Sequence, residues 1–546
     1  MKSQTCIIAF VFLFFQSLYV LGQNNFIEKP YQKIDSLFNS LYPSNKTGAA
    51  FAIIENGQTT YKNAKGLSNI EHQISITDST MFHIASVSKQ FTTFLALLLE
   101  KEGKLSFADD IRTHLPELKH LPNKITIKEL TNHTHGLPNI HELMNLKGAY
   151  PEGQMTHKEV VKFLLKTKQT NFEPKEKYEY NNTGYILLAE IIERVGQKPF
   201  KEQLEEKIFL PLGMNASKAI DDVNILIKNK ANSYRFVGNS YEKHPLHLGT
   251  IGSSGINTTI NDLILWAKNY QSPKVGSREF YNKMEQATYL KSGKKINYGL
   301  GLQFGKYKGL DIVFHGGGDV AYRSYILHVP KHKLSIVILA NTNDFSPLDM
   351  VHQTLDILLK DEIQEDKTSK TIITNEQLEK YEGTYEFYPS IYFTILAQND
   401  TLFFQSYGTK EQNPLPSINK NTFEFPYLPH SKFTFYEDRF DFHIADFTYE
   451  CKKITIPTFD AKDVKLEDFT GIFRNEEYAI DFKLVVENNH LVVRRAFDSI
   501  ELKPFAINSF YSPQLGKLDF VYDENDKIIT FKISGQNFKS VVFKKQ

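Results

Sequence analysis

The sequence predicts an α+β region, in which helices flank an antiparallel sheet, followed by two small all-β, barrel-like repeats. Residues 26–360 mix helical and strand periodicity. Residues 361–370 are polar and charged, as is typical of a linker. The residues after this linker carry almost only the period-two alternation of strands. These three observations divide the chain into one mixed region and one all-β region.

The α+β region is predicted to open on a strand pair. Ala49–Glu55 is mostly apolar, and Asn56-Gly57 after it favours a tight hairpin turn. A buried helix is predicted over Ser86–Lys101, because its apolar residues recur at helical spacing and Gly103 can end it. Further predictions are helices over Thr183–Val195 and Asn261–Tyr270 and a buried strand over Leu334–Ala340.

The all-β region repeats itself. The eight residues from Leu378 align with the eight from Leu466, and three further matches follow in the same order at nearly the same offset. Two copies of one small unit that closes its own strand edges are the simplest interpretation. The predicted domains are therefore an α+β domain over 23–365 and β repeats over 371–464 and 465–546. We expect the core of the α+β domain to close without crossing the linker.

Composition and charge exclude some classes of protein. The chain has 546 residues, 41% of them hydrophobic and 13% aromatic, which is typical of a globular protein. The 64 Lys and Arg residues nearly balance the 63 Asp and Glu residues, and no long basic run is present. We therefore expect no nucleic-acid partner.

The first 22 residues have the pattern of a signal peptide. Lys2 is their only charge, Ile7–Phe15 is an unbroken apolar run, and Gly22 supplies a small residue at the end. The apolar run is shorter than the roughly 18 to 20 residues that cross a bilayer, so no stable transmembrane anchor is expected after processing. The prediction is export, to the periplasm or the medium. Removal of the segment leaves Cys451 as the only cysteine, so no internal disulfide can form.

The strongest candidate for chemistry is Ser86, which begins a Ser-x-x-Lys tetrad at the start of the predicted helix. Residues three apart on a helix are neighbours, so Lys89 can reach the Ser86 hydroxyl. Three other Ser-x-x-Lys tetrads begin at Ser240, Ser292 and Ser417, but none leads into a long apolar helix. This context distinguishes Ser86 from the others.

Two further groups of residues could complete a site. Tyr180-Asn181-Asn182 precedes the helix predicted from Thr183. His315 follows a strand-like segment and is followed by Gly316, Gly317 and Gly318, which would let a ligand lie against the backbone.

Together these segments resemble the serine β-lactamase and penicillin-binding-protein-like hydrolases, in the branch of class C β-lactamases, D,D-peptidases, D-aminopeptidases and esterases. The resemblance covers residues 40–350. It rests on Phe82–Phe91, Tyr180–Asn182 and His315–Gly317, with support from Leu130–Leu137, Pro211–Met214 and Gly252–Ile256. The β repeats resemble the accessory barrels of some D-aminopeptidase-like members.

The resemblance implies acyl transfer with Ser86 as the nucleophile. Lys89 would act as the base if its pKa fell from the usual value of about 10.4, and Tyr180 is the competing candidate. Asn182 would hold Lys89 and the substrate amide. His315 would orient the Tyr180 hydroxyl or protonate a leaving group.

The same resemblance implies an oxyanion hole and a substrate class. The backbone N–H groups of Ser86 and Gly318 would form the oxyanion hole, and Gly316 and Gly317 would contact the substrate. His315 replaces the lysine of typical class C β-lactamases, and members with histidine are more often peptidases or esterases. The expected substrates are D-amino-acid-containing peptides, which can be cell-wall fragments, or related amides and esters.

Two other functions remain open from the sequence. The protein could be a carboxylesterase of the same family, or a non-catalytic receptor that binds cell-wall fragments or penicillin. No cofactor is implied. The close histidine pairs lack the acidic residues of zinc motifs, so no metal site is expected.

Overall fold

The helices lie mainly in the first two thirds of the chain. The computed structural model describes residues 29–148, 154–364, 373–388, 390–426, 431–444, 447–495 and 498–546. The predicted signal peptide and the predicted domain boundary at residue 365 lie outside these ranges. The helices are α1 (Lys29–Leu41), α2 (Ser88–Lys101), α3 (Ile111–His114), α4 (Ile127–Thr131), α5 (Ile140–Lys147), α6 (His157–Leu164), α7 (Asn182–Gly196), α8 (Phe200–Leu204), α9 (Leu210–Leu212), α10 (Ile260–Gln271), α11 (Arg278–Met284), α12 (Pro347–Leu358) and α13 (Asn375–Glu379).

Seventeen strands precede the all-β region within the described ranges. They are β1 (Ala49–Glu55), β2 (Gln58–Lys65), β3 (Leu67–Asn69), β4 (Ile74–Ser75), β5 (Phe82–His83), β6 (Met155–Thr156), β7 (Lys218–Ala219), β8 (Tyr234–Val237), β9 (Ser240–Lys243), β10 (Leu248–Gly249), β11 (Ile256–Thr258), β12 (Thr288–Tyr289), β13 (Lys295–Ile296), β14 (Gln303–Tyr307), β15 (Leu310–Asp319), β16 (Tyr322–Val329) and β17 (Leu334–Ala340).

The central sheet has six antiparallel strands in the order β14-β15-β16-β17-β1-β2. The predicted hairpin joins β1 to β2, and Asn56 and Gly57 take positive φ angles of 51° and 78° there, as the favoured hairpin turn requires. Alternate residues of β1 enter two different hydrophobic clusters, for example Ala52 and Ile53. Helix α10 contacts β1 and β17. Helices α1 and α12 contact each other, and α12 also contacts β17. The sheet is therefore flanked by helices, as predicted.

Helix α2 is the buried helix that the sequence predicts. A short 3-10 turn, Ala85–Val87, leads into it. Eleven of its fourteen residues are buried, so even its polar residues must find partners inside the protein. The indole of Trp266 stacks on Phe91 with ring centroids 4.1 Å apart and donates a hydrogen bond from Nε1 to Gln90. This packing fixes the helix that carries Lys89 and directly follows the turn of Ser86.

The all-β region contains two units of similar order. The first is a nine-stranded sheet made of β18 (Gly383–Tyr388), β19 (Ile391–Gln398), β20 (Thr401–Ser406), β21 (Asn413–Leu415), β22 (Ser417–Asn419), β23 (Thr422–Glu424), β24 (Ser431–Phe435), β25 (Arg439–Ile444) and β26 (Phe447–Ile454). The second is a closed barrel of β27 (Gly471–Asn475), β28 (Ile480–Glu487), β29 (His490–Arg494), β30 (Ser499–Ala506), β31 (Ser509–Ser512), β32 (Gly516–Tyr522), β33 (Ile528–Gly535) and β34 (Phe538–Lys545).

Both units begin with a short helical turn and continue through successive antiparallel neighbours, and the predicted fold class is confirmed. The first unit differs in closure, since β21 and β22 lie at opposite ends of its sheet in the described part of the chain. Only the second unit closes into a barrel there.

The barrel packs directly on the helical part of the catalytic region. Phe163 of α6 stacks on Tyr478 with ring centroids 5.1 Å apart, and apolar residues of both parts belong to one hydrophobic cluster. The backbone N–H of Asn139 and the side chain of Asn171 both donate to the carbonyl of Asn537, each at 3.0 Å. The expectation that the core of the first domain closes without crossing the linker is therefore wrong, because apolar residues of the barrel complete part of that core.

Candidate active site

The predicted site residues surround a cavity of about 720 Å³. Ser86, Tyr180, Asn182 and His315 line it from the catalytic region, and further walls come from the all-β units. The first unit contributes Ile444 and Tyr449, and the β33–β34 turn of the barrel contributes Gln536 and Asn537. A cavity lined by polar groups from several elements is the usual form of a small-molecule site.

Ser86 and Lys89 meet at the start of α2. Ser86 lies in the 3-10 turn, and Lys89, one turn further on, is fully buried. Ala85 before them has a φ of 46°, an uncommon conformation for a residue with a side chain. Lys89 Nζ lies 3.0 Å from Ser86 Oγ. The spacing of the tetrad therefore brings the amine within hydrogen-bond distance of the hydroxyl.

The Lys89 amine has two acceptors besides Ser86. Nζ donates to Asn182 Oδ1 at 2.7 Å and to the Ser253 carbonyl at 2.9 Å. Burial lowers the pKa of Lys89 well below its ordinary value, an effect that the nearby Asp319 carboxylate partly opposes. A neutral amine has two hydrogens, which these two acceptors use. In that state the lone pair would face Ser86 Oγ and could accept its proton, whereas an ammonium would donate to Ser86 Oγ as well.

Tyr180 also contacts Ser86. Burial raises the pKa of its phenol, although a hydrogen bond with Ser86 opposes that shift. Lys89 Nζ lies 4.9 Å from the centre of the Tyr180 ring, and the ring of His133 lies 4.3 Å from it. Asn181, the N-cap of α7, receives a hydrogen bond from the N–H of Thr183 and so orients the loop that carries Tyr180. The phenol is therefore protonated at neutral pH and can donate a proton.

His315 makes contacts that the sequence does not predict. Its Nε2 lies 3.0 Å from the hydroxyl of Tyr298, and its Nδ1 lies 2.7 Å from the carbonyl of Gly316. A carbonyl only accepts, so Nδ1 carries the hydrogen and Nε2 accepts from Tyr298. Burial lowers the pKa of His315 to about 3, so the ring is neutral. The sequence predicts that His315 orients the Tyr180 hydroxyl or protonates a leaving group, and in the described structure its two ring nitrogens contact Tyr298 and Gly316 instead of Tyr180.

Tyr298 is the site residue that sequence reasoning missed. Its loop packs on the helix of Lys89, because a Cβ on Gly301 would lie 2.9 Å from the Lys89 carbonyl. A Cβ on Gly299 would lie 1.9 Å from the Met284 carbonyl. The signal that could have found Tyr298 is therefore the Tyr-Gly-x-Gly spacing, since such glycines indicate close backbone packing.

The glycines after His315 have different surroundings. A Cβ on Gly317 would lie 2.5 Å from the carbonyl of Ile84, so this glycine lets β15 approach the turn that carries Ser86. Gly317 therefore packs against the protein and does not line the cavity, unlike the predicted role in substrate contact. Gly316 and Gly318 do line it. Strand β14 pairs with β15 only as far as Phe314, so the following residues lie at an edge of the described sheet.

No three His, Cys, Asp or Glu side chains are grouped as metal ligands in the part of the chain that the structure describes.

Comparison with known proteins places this fold and site in a family. The Beta-lactamase family model matches residues 41–359, so the chain belongs to that family, and the predicted resemblance is confirmed. Members of this family and the related D-aminopeptidases are serine hydrolases.

Several relatives are similar over part of their length. A D-aminopeptidase of Gluconobacter oxydans is 27% identical over 54% of this chain and 55% of its own length. The chain thus spans about half the length of the curated D-aminopeptidases that it matches. A penicillin-binding protein of Bacillus subtilis is 25% identical over 74% of this chain and 94% of its own.

Solved structures share the fold. The octameric penicillin-binding protein homologue from Pyrococcus abyssi superposes with a TM-score of 0.57 at 24% identity, covering 77% of this chain and all of that one. D-amino acid amidase from Ochrobactrum anthropi gives a TM-score of 0.53 at 19% identity, covering 61% of this chain and 99% of that one. At these identities the likeness establishes the fold.

We expect Tyr298→Phe to lower kcat about two- to tenfold. The substitution removes one hydroxyl, and with it the hydrogen bond that holds His315 Nε2, which is worth about 1 kcal/mol. The loss also removes a donor that favours neutral imidazole, so the acid limb of the pH–rate profile should shift. Tyr289→Phe is the control, since this tyrosine is 61% exposed. Superimposable pH–rate profiles for the two variants would contradict the positioning role of Tyr298.

Proposed function

We propose that the protein is an exported serine hydrolase that acts on D-amino-acid-containing peptides, or on related amides and esters, through an acyl-enzyme on Ser86. The observation that carries this proposal is the Lys89 amine, which lies 3.0 Å from the Ser86 hydroxyl and has two other fixed partners. The names of the related D-aminopeptidases support the substrate class. Cell-wall fragments are one natural source of such peptides.

The first step forms the acyl-enzyme. Ser86 Oγ attacks the substrate carbonyl carbon while its proton passes to Lys89 Nζ. The carbonyl oxygen becomes an oxyanion, which the N–H groups of Ser86 and Gly318 would stabilise. Asn182 and the Ser253 carbonyl hold the ammonium that forms. Both acceptors already contact Nζ before the reaction, so the site needs little reorganisation when the ammonium forms.

The second step expels the leaving group. Tyr180 would donate its phenolic proton to the departing nitrogen or oxygen, and the ammonium of Lys89 would return a proton to Tyr180. The bond between the carbonyl carbon and the leaving group breaks, which leaves the ester of Ser86. A water molecule then attacks that ester and gives a proton to Lys89, which returns a proton to Ser86 Oγ as the ester bond breaks and the acid product forms.

The cavity walls that come from the all-β units would limit the size of the substrate. Tyr449 and Asn537 come from two different units and line the same cavity as Ser86. A substrate must therefore fit between the catalytic region and both units. This arrangement supports small or narrow substrates such as short peptides.

The proposed function is tested by labelling and by matched substrates. A fluorophosphonate and a fluorescent penicillin should label Ser86, which peptide mapping identifies. D-alanine and L-alanine p-nitroanilides and the matching methyl esters then measure stereochemistry and bond preference. Preference for the D-anilide supports the proposal, whereas turnover of esters alone supports the carboxylesterase. Labelling without turnover of any substrate supports the receptor.

Export is part of the proposal and has its own test. The pattern of residues 1–22 supports it. Among the described residues, none of the helices has both the length and the apolar character needed to span a membrane. We expect the mature protein to begin at Gln23, which mass spectrometry of the N-terminal peptide would measure. A retained Met1 in the exported fraction would contradict cleavage at this position.

A further inference from the structure

The two N–H donors of the proposed oxyanion hole are carried by two different sheets. Ser86 lies in the 3-10 turn that follows β5, and β5 belongs to a three-stranded sheet with β11 and β7. Gly318 lies near the end of β15, in the central sheet. Two donors stabilise one oxyanion only when both point at it, so the two sheets must be held together at this point.

The end of β15 is paired on one side only. Within the described sheet, β14 pairs with β15 as far as Phe314, and residues 316–319 pair with β16 alone. Glycines also lose more conformational freedom on ordering than other residues do. The segment that carries the Gly318 N–H therefore depends on further contacts to keep its position against the turn of Ser86.

A hydrogen bond between His83 and Asp319 joins the two sheets beside the oxyanion hole. His83 belongs to β5, three residues before Ser86, and Asp319 directly follows Gly318. His83 Nε2 lies 3.0 Å from Asp319 Oδ2. A carboxylate only accepts, so Nε2 carries the hydrogen and donates it.

His83 is also the main group that offsets the burial of the Asp319 carboxylate. Burial raises the pKa of this carboxyl, whereas the hydrogen bond from His83 leads the effects that lower it, and the pKa is held below its usual value. The carboxylate is therefore ionised at pH 7. Hydrogen bonds to an ionised acceptor are stronger than those between neutral groups.

The second ring nitrogen of His83 indicates why an imidazole lies at this position. Nδ1 is buried and has no hydrogen-bond partner among the described residues. An apolar ring would avoid the free-energy cost of that unpaired nitrogen. The imidazole also packs on the ring of Tyr322, with centroids 5.6 Å apart. The polar contact that distinguishes it from an apolar ring is the bond from Nε2 to Asp319.

Two further contacts hold the central sheet against the same turn. Ser324 Oγ donates to the carbonyl of Ile84 at 2.7 Å, and a Cβ on Gly317 would lie 2.5 Å from that carbonyl. Ser324 is the cross-strand partner of Gly317, so both contacts lie just before Gly318 in β15. The hydrogen bond of Asp319 lies just after it. Gly318 is therefore held from both sides.

We propose that His83 and Asp319 are a positioning pair that sets the geometry of the proposed oxyanion hole. Their bond joins the strand that leads to one donor, Ser86, to the strand that carries the other, Gly318. The inference rests on the proposed function, since an oxyanion forms only if Ser86 attacks a carbonyl carbon. Loss of the bond should let the two donors move apart, and the hole should then stabilise the transition state less well.

The first measurement is the rate of acylation. p-Nitrophenyl cinnamate places a cinnamoyl ester on Ser86, and stopped-flow release of p-nitrophenolate gives the acylation rate constant and the dissociation constant of the substrate. His83→Phe should lower the rate constant by about 10- to 100-fold, the effect of a misplaced stabilising group. The dissociation constant should stay within about twofold, because the oxyanion exists only in the transition state.

The second measurement would not respond to a merely structural role. Hydrogen bonds from the oxyanion hole weaken the acyl C=O bond, and Raman difference spectroscopy of the cinnamoyl enzyme measures its stretching frequency. In His83→Phe the carbonyl band should shift to higher frequency than in the wild type. In His83→Gln it should shift less, since the amide Nε2 of glutamine can donate to Asp319 in place of the imidazole.

His328→Phe is the matched control. It makes the same change at a buried histidine that lies 2.8 Å from Ser335 Oγ and outside the cavity wall. The control should keep the rate constant and the carbonyl band of the wild type. Unchanged acylation in His83→Phe, or slower acylation with an unshifted band, would overturn the positioning pair.

Asp319→Ala gives an independent measurement and decides the test if His83→Phe does not fold. The Asp319 side chain is 25% exposed, so its loss leaves no closed void. This variant should slow acylation and raise the carbonyl frequency as His83→Phe does. The double variant should be no slower than the slower single variant, because the bond can be lost only once. Fully additive losses would show that the two side chains act separately and would overturn the pair.

The same experiment separates this inference from the proposed function. If the wild type forms no cinnamoyl enzyme at Ser86, the proposed function fails and the inference fails with it. If the wild type forms this acyl-enzyme, and the variants of His83 and Asp319 match its rate and its carbonyl band, only the inference fails.

Discussion

Ser86→Ala is expected to abolish labelling by fluorophosphonate and to lower turnover by about 10⁴- to 10⁶-fold, the range for loss of a catalytic nucleophile. The oxygen that forms the covalent bond is removed, while the oxyanion-hole N–H groups and the cavity remain. Lys89 Nζ lies 3.0 Å from that oxygen and would lose one of its three partners. Labelling followed by mass spectrometry of the intact protein measures the first effect, and initial rates measure the second.

The fold should survive this substitution. Alanine removes one oxygen and one hydrogen bond, so the free energy of unfolding should change by only about 1 kcal/mol. Ser240→Ala is the matched control, because Ser240 begins another Ser-x-x-Lys tetrad but is exposed on β9. Stoichiometric labelling of Ser86→Ala, or loss of labelling in Ser240→Ala, would show that the nucleophile is elsewhere.

The parts of the fold that sequence predicts best are those set by local periodicity. The α2 helix and strand Leu334–Ala340 lie where their apolar spacing indicates. The closure of the β units depends on pairing between distant strands, such as β27 with β34, and no local pattern encodes it. The packing of Phe163 on Tyr478 is equally non-local, and so the shared core was not predicted.

The same difference between local and non-local contacts applies within the site. Ser86 lies in the 3-10 turn that leads into α2 and Lys89 lies in the first turn of α2, so their contact follows from local helical geometry. The contact between Tyr298 and His315 cannot be predicted from local geometry, because Tyr298 lies on a loop whose path depends on glycine packing. Ser253 contributes a backbone carbonyl, which no side-chain motif reveals. Tyr449 enters the cavity from another unit.

The second large effect concerns the base, which sequence alone leaves open between Lys89 and Tyr180. Burial lowers the pKa of Lys89 and raises that of Tyr180, so the amine is the better acceptor for the Ser86 proton and the phenol the better donor. Lys89→Met should therefore lower acylation by ~10² to 10⁴ for every substrate, as expected for loss of a positioned base. Stopped-flow measurement of acylation by a p-nitrophenyl ester and by an anilide provides the rates.

Tyr180→Phe should separate the two substrates. p-Nitrophenolate leaves without a proton, so acylation by the ester should stay close to that of the wild type, whereas acylation by the anilide should fall by ~10² to 10⁴ because its amine must be protonated. The pH profile gives a second criterion. Burial lowers the pKa of the Lys89 base in the folded protein, so activity should rise with pH through a limb well below 10.5 and then level off. If Tyr180→Phe loses the ester reaction while Lys89→Met keeps it, the phenolate is the base and the assignment of Lys89 is wrong.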